Sequence, residues 1–140
     1  MAANTVPIFT DSSRWSLTEF VAADTTALKT LFTAGADGSL ITAIIVATQE
    51  TVANDIIFYA NLGGAIDAPI GYLEVPIGAG TNGTTQVASA LTDSVLTWPA
   101  HDNNDNPVIQ LPSNFVLKAN MRTTVGGSDK VFVTVVAEDF

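Results

Sequence analysis

The chain has 140 residues, enough for one hydrophobic core, and no cysteine, so neither disulfides nor thiolate metal sites brace it. Charged residues make up only 14% of it, against about 25% in an average soluble domain, so much of the surface has to be apolar or neutral-polar, as in subunit contacts. Arg14, Lys29, Lys118, Arg122 and Lys130 face 14 acids for a net charge of −9, which argues against nucleic-acid and anionic-membrane partners.

In chain order, Met1 to Thr10 has neither a basic start nor an apolar core of the signal-peptide kind, and Pro7 opposes helix. Residues 1–12 are expected to form an extended arm. From Arg14 to Val21, Trp15 and Leu17 alternate with polar residues, the period of a half-buried strand that Glu19 interrupts. Leu28 to Thr33 is a second short run, with Asp24 placed to cap one helical turn before it. Ala34-Gly-Ala-Asp-Gly38 is turn chemistry. Leu40 to Thr48 is β-branched and apolar on both faces, as in a central strand. Asp55 to Asn61 follows, then the Gly63-Gly64 reversal, then Ile70 to Val75, which Pro76 stops.

Gly78 to Gly83 is a loop. It lacks the Gly-Lys-[Ser/Thr] ending of a phosphate loop and reads as a corner between strands. Gln86 to Leu91 and Val95 to Trp98 are short strand candidates. The polar excursion His101 to Pro107 comes next. Val108 to Leu111, Phe115 to Met121 and Val131 to Ala137 complete the set, the last two joined through Gly126-Gly127. Eight or nine strands in residues 13–140 imply two packed antiparallel sheets. The expected fold class is all-β, an antiparallel β-sandwich of the jelly-roll type with about eight strands and an N-terminal arm.

Candidate chemistry is sparse. His101 is the only histidine, and Ser39, Ser89, Ser94 and Ser113 stand in no Gly-x-Ser-x-Gly setting, so no nucleophile–base pair is marked. Carboxylates are present, but no spacing selects a catalytic pair. Asp102, Asn104 and Asn106 alternate like the start of a calcium loop. Pro107 replaces the required glycine, and Ser113 stands where the bidentate glutamate belongs. A turn of self-bonding Asx side chains is the simpler reading. Trp15, Tyr59, Tyr72 and Trp98 would make a sugar platform only if they shared one face; otherwise they belong to core or interface. No catalytic residue and no cofactor is expected.

Several phrases resemble small virion proteins of tailed phages over essentially the whole length. They are Met1-Ala-Ala-Asn-Thr-Val-Pro-Ile-Phe9, Phe32-Thr-Ala-Gly-Ala-Asp-Gly-Ser39, Phe58-Tyr-Ala-Asn-Leu-Gly-Gly64, Val75-Pro-Ile-Gly-Ala-Gly-Thr-Asn-Gly83, Leu111-Pro-Ser-Asn-Phe115 and the closing Glu138-Asp-Phe140. These turn and strand-end phrases specify a fold family better than a function. The resemblance implies a non-enzymatic jelly-roll protein of the capsid decoration or cement type. It would be made in the host cytoplasm and bound as a homotrimer to the major capsid protein on the outer shell of the virion. Val6, Pro7, Ile8 and Phe9 of the arm are expected to lie on a neighbouring subunit. A tail- or fibre-associated module and a carbohydrate-binding β-sandwich are the competing expectations.

Overall fold

A computed structural model describes residues 12–96 and 100–140, and nearly all of its regular structure is antiparallel strand. The strands are β1 (Ser12–Phe20), β2 (Lys29–Thr33), β3 (Ser39–Thr48), β4 (Asn54–Asn61), β5 (Ala68–Val75), β6 (Ala88–Ser89), β7 (Ala100–His101), β8 (Pro107–Leu111), β9 (Val116–Met121) and β10 (Val131–Asp139). Four nested pairings organise them: β4 with β5, β3 with β8, β2 with β9, and β1 with β10. One long hairpin with β4 and β5 at its tip, rolled on itself, gives this pattern and sends alternate pairs to opposite sheets. One sheet runs β1-β10-β3-β8-β7 with β6 flanking β3, and the other runs β2-β9-β4-β5. The fold is an all-β jelly-roll sandwich, as the strand tally implied, with eight nested strands and two two-residue additions.

Alternation decides what fills the space between the sheets. On β4, Ile56 and Phe58 are buried while Asp55 and Ile57 are not. On β10, Val131, Val133, Val135 and Ala137 point inward. Phe20, Leu31, Ile41, Ile44, Leu117 and Met121 complete the centre of the core, and full burial of each large apolar side chain contributes about 1.5–3 kcal/mol. Turn chemistry sets the reversals. Gly38 has φ +98°, and a Cβ there would lie 2.6 Å from the Leu111 carbonyl oxygen, so only glycine lets the end of β8 approach this turn. At the β4–β5 turn, Asn61 Oδ1 accepts from Gly63 N and its Nδ2 donates to the Gly64 carbonyl.

Some expectations need correction. Ser12, assigned to the arm, already pairs with Asp139 in β1. Val95 and Leu96 form a turn rather than a strand: both backbone N–H groups donate to the Thr92 carbonyl, and Leu96 is a buried plug. The strand expected over Gln86 to Leu91 shrinks to Ala88–Ser89 against β3. Asp24 ends a single 3-10 turn, Ala22–Asp24, instead of starting one, and its carboxylate reaches back to accept from Val21 N at 2.8 Å. That bond, with the Lys29 ammonium 3.0 Å away, holds the Asp24 carboxyl below its ordinary range.

Candidate functional site

The first strand is inverted relative to its hydrophobic pattern. Trp15 and Leu17, the apolar half of the alternation, face solvent at 65% and 76% exposure. Arg14 and Ser16 face the seam between the sheets. There the guanidinium Nη2 donates to the Thr33 carbonyl at 2.7 Å, and Ser16 Oγ donates to the Leu31 carbonyl. In return, Lys29 Nζ donates to the Glu19 carbonyl at 2.7 Å. These side chains occupy carbonyls along the two neighbouring sheet edges, which would otherwise stand open to strand addition. Because side chains alternate with period two, a polar set committed to the seam forces Trp15 and Leu17 outward.

The register then builds a surface. Trp15 lies opposite Val136, which lies opposite Ala43; Leu17, Thr134 and Ile45 form the next row, and Glu19, Phe132 and Ala47 the third. These positions share the outer face of the six-stranded sheet. Beyond Ala47 the half-exposed Val87 extends it, for Gly80 has both Val87 and Ala47 at its back. Between Cα positions the rows cover about 14 Å along the strands and about 10 Å across them. A contiguous exposed apolar patch is often a partner-binding surface.

Charge is largely absent from this surface. All five Lys and Arg residues are paired: Arg14 with Asp139, Lys29 with Asp24, Lys118 with Asp67, Arg122 with Asp55 and Lys130 with Glu19. The excess charge is therefore carried by acids alone, and the Glu19–Lys130 pair at 3.2 Å sits at the patch corner. The rows themselves contain one ionisable residue, so covering them with a partner desolvates little charge.

The other candidates do not gather into a centre. Asp102 Oδ1 accepts from the backbone N–H groups of Asn104 and Asn106, and the Asn106 amide donates to the same carboxylate. These bonds, those from Asn106 foremost, hold the Asp102 carboxyl below its ordinary value and spend its oxygens on its own turn. Among the described residues no group of three or more His, Cys, Asp or Glu side chains converges as a metal site. His101 is partly exposed, with Nε2 3.3 Å from Asp93 Oδ1. Tyr59 and Tyr72 belong to the four-stranded sheet and Trp15 to the other, so these three share no platform. Trp98 and the arm residues Val6, Pro7, Ile8 and Phe9 lie outside the described residues.

No protein-family model matches the sequence, and no curated protein matches it either. Some solved structures align with it. A chain of the cyanophage Pam1 capsid asymmetric unit aligns over all of this chain and 94% of its own length, at 13% identity and a TM-score of 0.49. A chain of the T13 infectious bursal disease virus particle aligns over 99% of this chain at 14% identity and a TM-score of 0.36. The VP2 subviral particle of that virus gives 16% identity over 99% of this chain and a TM-score of 0.35. The chain spans only 35% and 37% of those two viral chains. None of these three reaches a TM-score of 0.5, so the fold assignment rests on the strand pairing itself.

The sequence marked Trp15 and Leu17 only as the apolar half of a half-buried strand, and did not mark their companions. The signal for Phe132 and Val136 was present, since Val131 to Ala137 carries apolar residues at both phases of the strand. Ile45 and Ala47 carry the same signal in the doubly apolar third strand. Which phase met a partner rather than the core depended on the seam, which no local pattern encodes.

Proposed function

We propose that this protein is a non-enzymatic structural component of a virion, and that it docks on the outer surface of a tailed-phage capsid as a decoration or cement protein. The observation that carries the reading is the outward apolar surface of Trp15, Leu17, Phe132, Val136, Ile45 and Val87 on a sheet whose other face is the core. A protein acting alone has no use for an outward Trp–Leu pair beside a strand whose polar side chains are turned in. The sequence phrases that resemble small phage virion proteins support the same reading. The partner is the major capsid protein, and the homo-oligomer is a trimer, with the arm segment Val6, Pro7, Ile8 and Phe9 reaching a neighbouring subunit.

Light scattering of the purified protein, alone and mixed with phage capsid shells, tests this. A trimer that co-sediments with shells is expected. Deleting residues 1–11 should weaken shell binding while leaving the β-sheet circular dichroism spectrum unchanged. A monomer indifferent to shells would overturn the docking role, and unchanged binding by the deleted chain would overturn the role of the arm.

A further inference from the structure

The opposite face of the sandwich carries a second feature. Between β4 and β5 the register shifts at Phe58/Tyr59, so that Tyr59 pairs with Pro69 and Phe58 with Gly71, leaving Ile70 as the extra residue. Ile70 packs against the core, and a Cβ on Gly71 would also point inward, 2.2 Å from the Val95 carbonyl oxygen. Two consecutive inward positions leave a gap on the outer face, where strict alternation would have placed a side chain between Pro69 and Tyr72. Bulges of this kind re-aim side chains and recur beside binding sites.

The gap is a pocket of 280 Å³ lined by Asp55, Ile57, Pro69, Gly71, Tyr72 and Arg122. That is just below the range of about 300–1,000 Å³ for small-molecule sites, which suits a single ring. Its wall is the Tyr72 side chain, 63% exposed on the outer face just past the bulge. Its polar rim is an ion pair: Arg122 Nη1 donates to Asp55 Oδ2 at 2.7 Å, and Arg122 N donates to the Asp55 carbonyl at 2.8 Å. The pairing raises the affinity of the guanidinium for its proton. Asp55 Oδ1 and the remaining guanidinium N–H groups make no further hydrogen bond among the described residues. An acceptor therefore stands beside donors at the edge of an aromatic-walled apolar pocket.

We propose that this pocket binds one neutral pyranose ring, with its C–H face on Tyr72 and two adjacent hydroxyls on Asp55 Oδ1 and the Arg122 guanidinium. One hydroxyl donates to the carboxylate and its neighbour accepts from the guanidinium. An anionic ligand would meet Asp55 on a chain whose net charge is −9, so neutral sugars are favoured over acidic ones. The site lies on the four-stranded sheet and is independent of docking through the six-stranded one. With that sheet against a shell, this one faces away from it.

Titrating methyl glucopyranoside, methyl galactopyranoside and N-acetylglucosamine into the labelled protein, followed by amide and side-chain NMR shifts, tests the site. An array of neutral and sialylated glycans extends the same test to oligosaccharides. Saturable shifts at Ile57, Tyr72 and Arg122 with at least one neutral sugar are expected, together with retention by Tyr72→Phe. Tyr72→Ala should weaken binding about tenfold or more, because it removes the aromatic face. The proposal falls if no neutral sugar binds in solution or on the array, if sialylated glycans are preferred, or if Tyr72→Ala binds as the parent does.

Discussion

Arg14 and Asp139 join the first strand to the end of the last, with the guanidinium Nη2 3.0 Å from Asp139 Oδ1. The same nitrogen donates to the Thr33 carbonyl at 2.7 Å, and the guanidinium carbon lies 4.3 Å from the Phe32 ring centroid. Ser39 Oγ donates to the same carboxylate, so three side chains tie together β1, β10, β3 and β2. Arg14→Ala should lower stability by about 1–2 kcal/mol, less than a fully buried charged hydrogen bond would cost because the side chain is partly exposed. Arg14→Lys should recover part of that loss, since a point charge keeps the pair but not the fork. Urea unfolding midpoints check both, and a midpoint for Arg14→Ala equal to the parent would refute the tie.

That seam also explains what the sequence made legible. The strand tally, the central position of Leu40 to Thr48 and the glycine reversals followed from period two and turn chemistry, which are local. The direction in which Trp15 and Leu17 point was not legible. It depends on carbonyls of Leu31 and Thr33, which belong to the other sheet and need donors from Ser16 and Arg14. The strand expected at Val95 failed for a related reason: Leu96 is buried as a plug from a turn, and hydrophobicity alone does not distinguish a plug from a strand. The pocket beside Tyr72 was hidden as well, because a bulge is a property of a pair of strands rather than of either one.

Gly71 offers a sharp contrast with Gly126. A Cβ at Gly71 would sit 2.2 Å from the Val95 carbonyl oxygen and 2.9 Å from a Leu96 methyl, whereas one at Gly126 meets nothing within 4 Å. Gly71→Ala should therefore cost about 1–3 kcal/mol, the usual penalty for overpacking. Gly126→Ala should stay within about 0.5 kcal/mol of the parent. Thermal unfolding of the two variants side by side decides the matter: equal midpoints would mean that the 92–96 turn yields freely.

Acid should weaken the fold through three carboxylates held below their ordinary value of 3.8: Asp24 by the Val21 N–H, Asp67 by Lys118 and Asn61, and Asp102 by Asn106. With folded values depressed, the unfolded chain binds protons first as pH falls. The stabilisation is thus complete above the unfolded value and is lost as pH drops through the folded ones. Melting temperature should hold steady down to about pH 5 and fall below about pH 4. Asp102→Asn, which keeps an acceptor for the turn, should show a shallower fall. A slope identical to the parent would remove Asp102 from the acid response.

The outward apolar rows make the most direct prediction about function. Trp15 and Leu17 contribute little to the core, so the double variant Trp15→Ser/Leu17→Ser should unfold within about 1 kcal/mol of the parent, as surface substitutions do. Its binding to shells should weaken by about a hundredfold, because a tryptophan at the centre of an interface commonly accounts for 2 kcal/mol or more by itself. Lys130→Ala, at the patch corner beside Glu19, should change shell binding little at moderate salt, since exposed pairs contribute about 0–1 kcal/mol. Co-sedimentation across a range of protein concentrations separates the cases. If the double variant still binds at full strength, the contact with the shell lies elsewhere and these rows serve another partner. If Lys130→Ala proves as damaging as the double variant, the contact is held by charge, and the apolar surface is not what carries it.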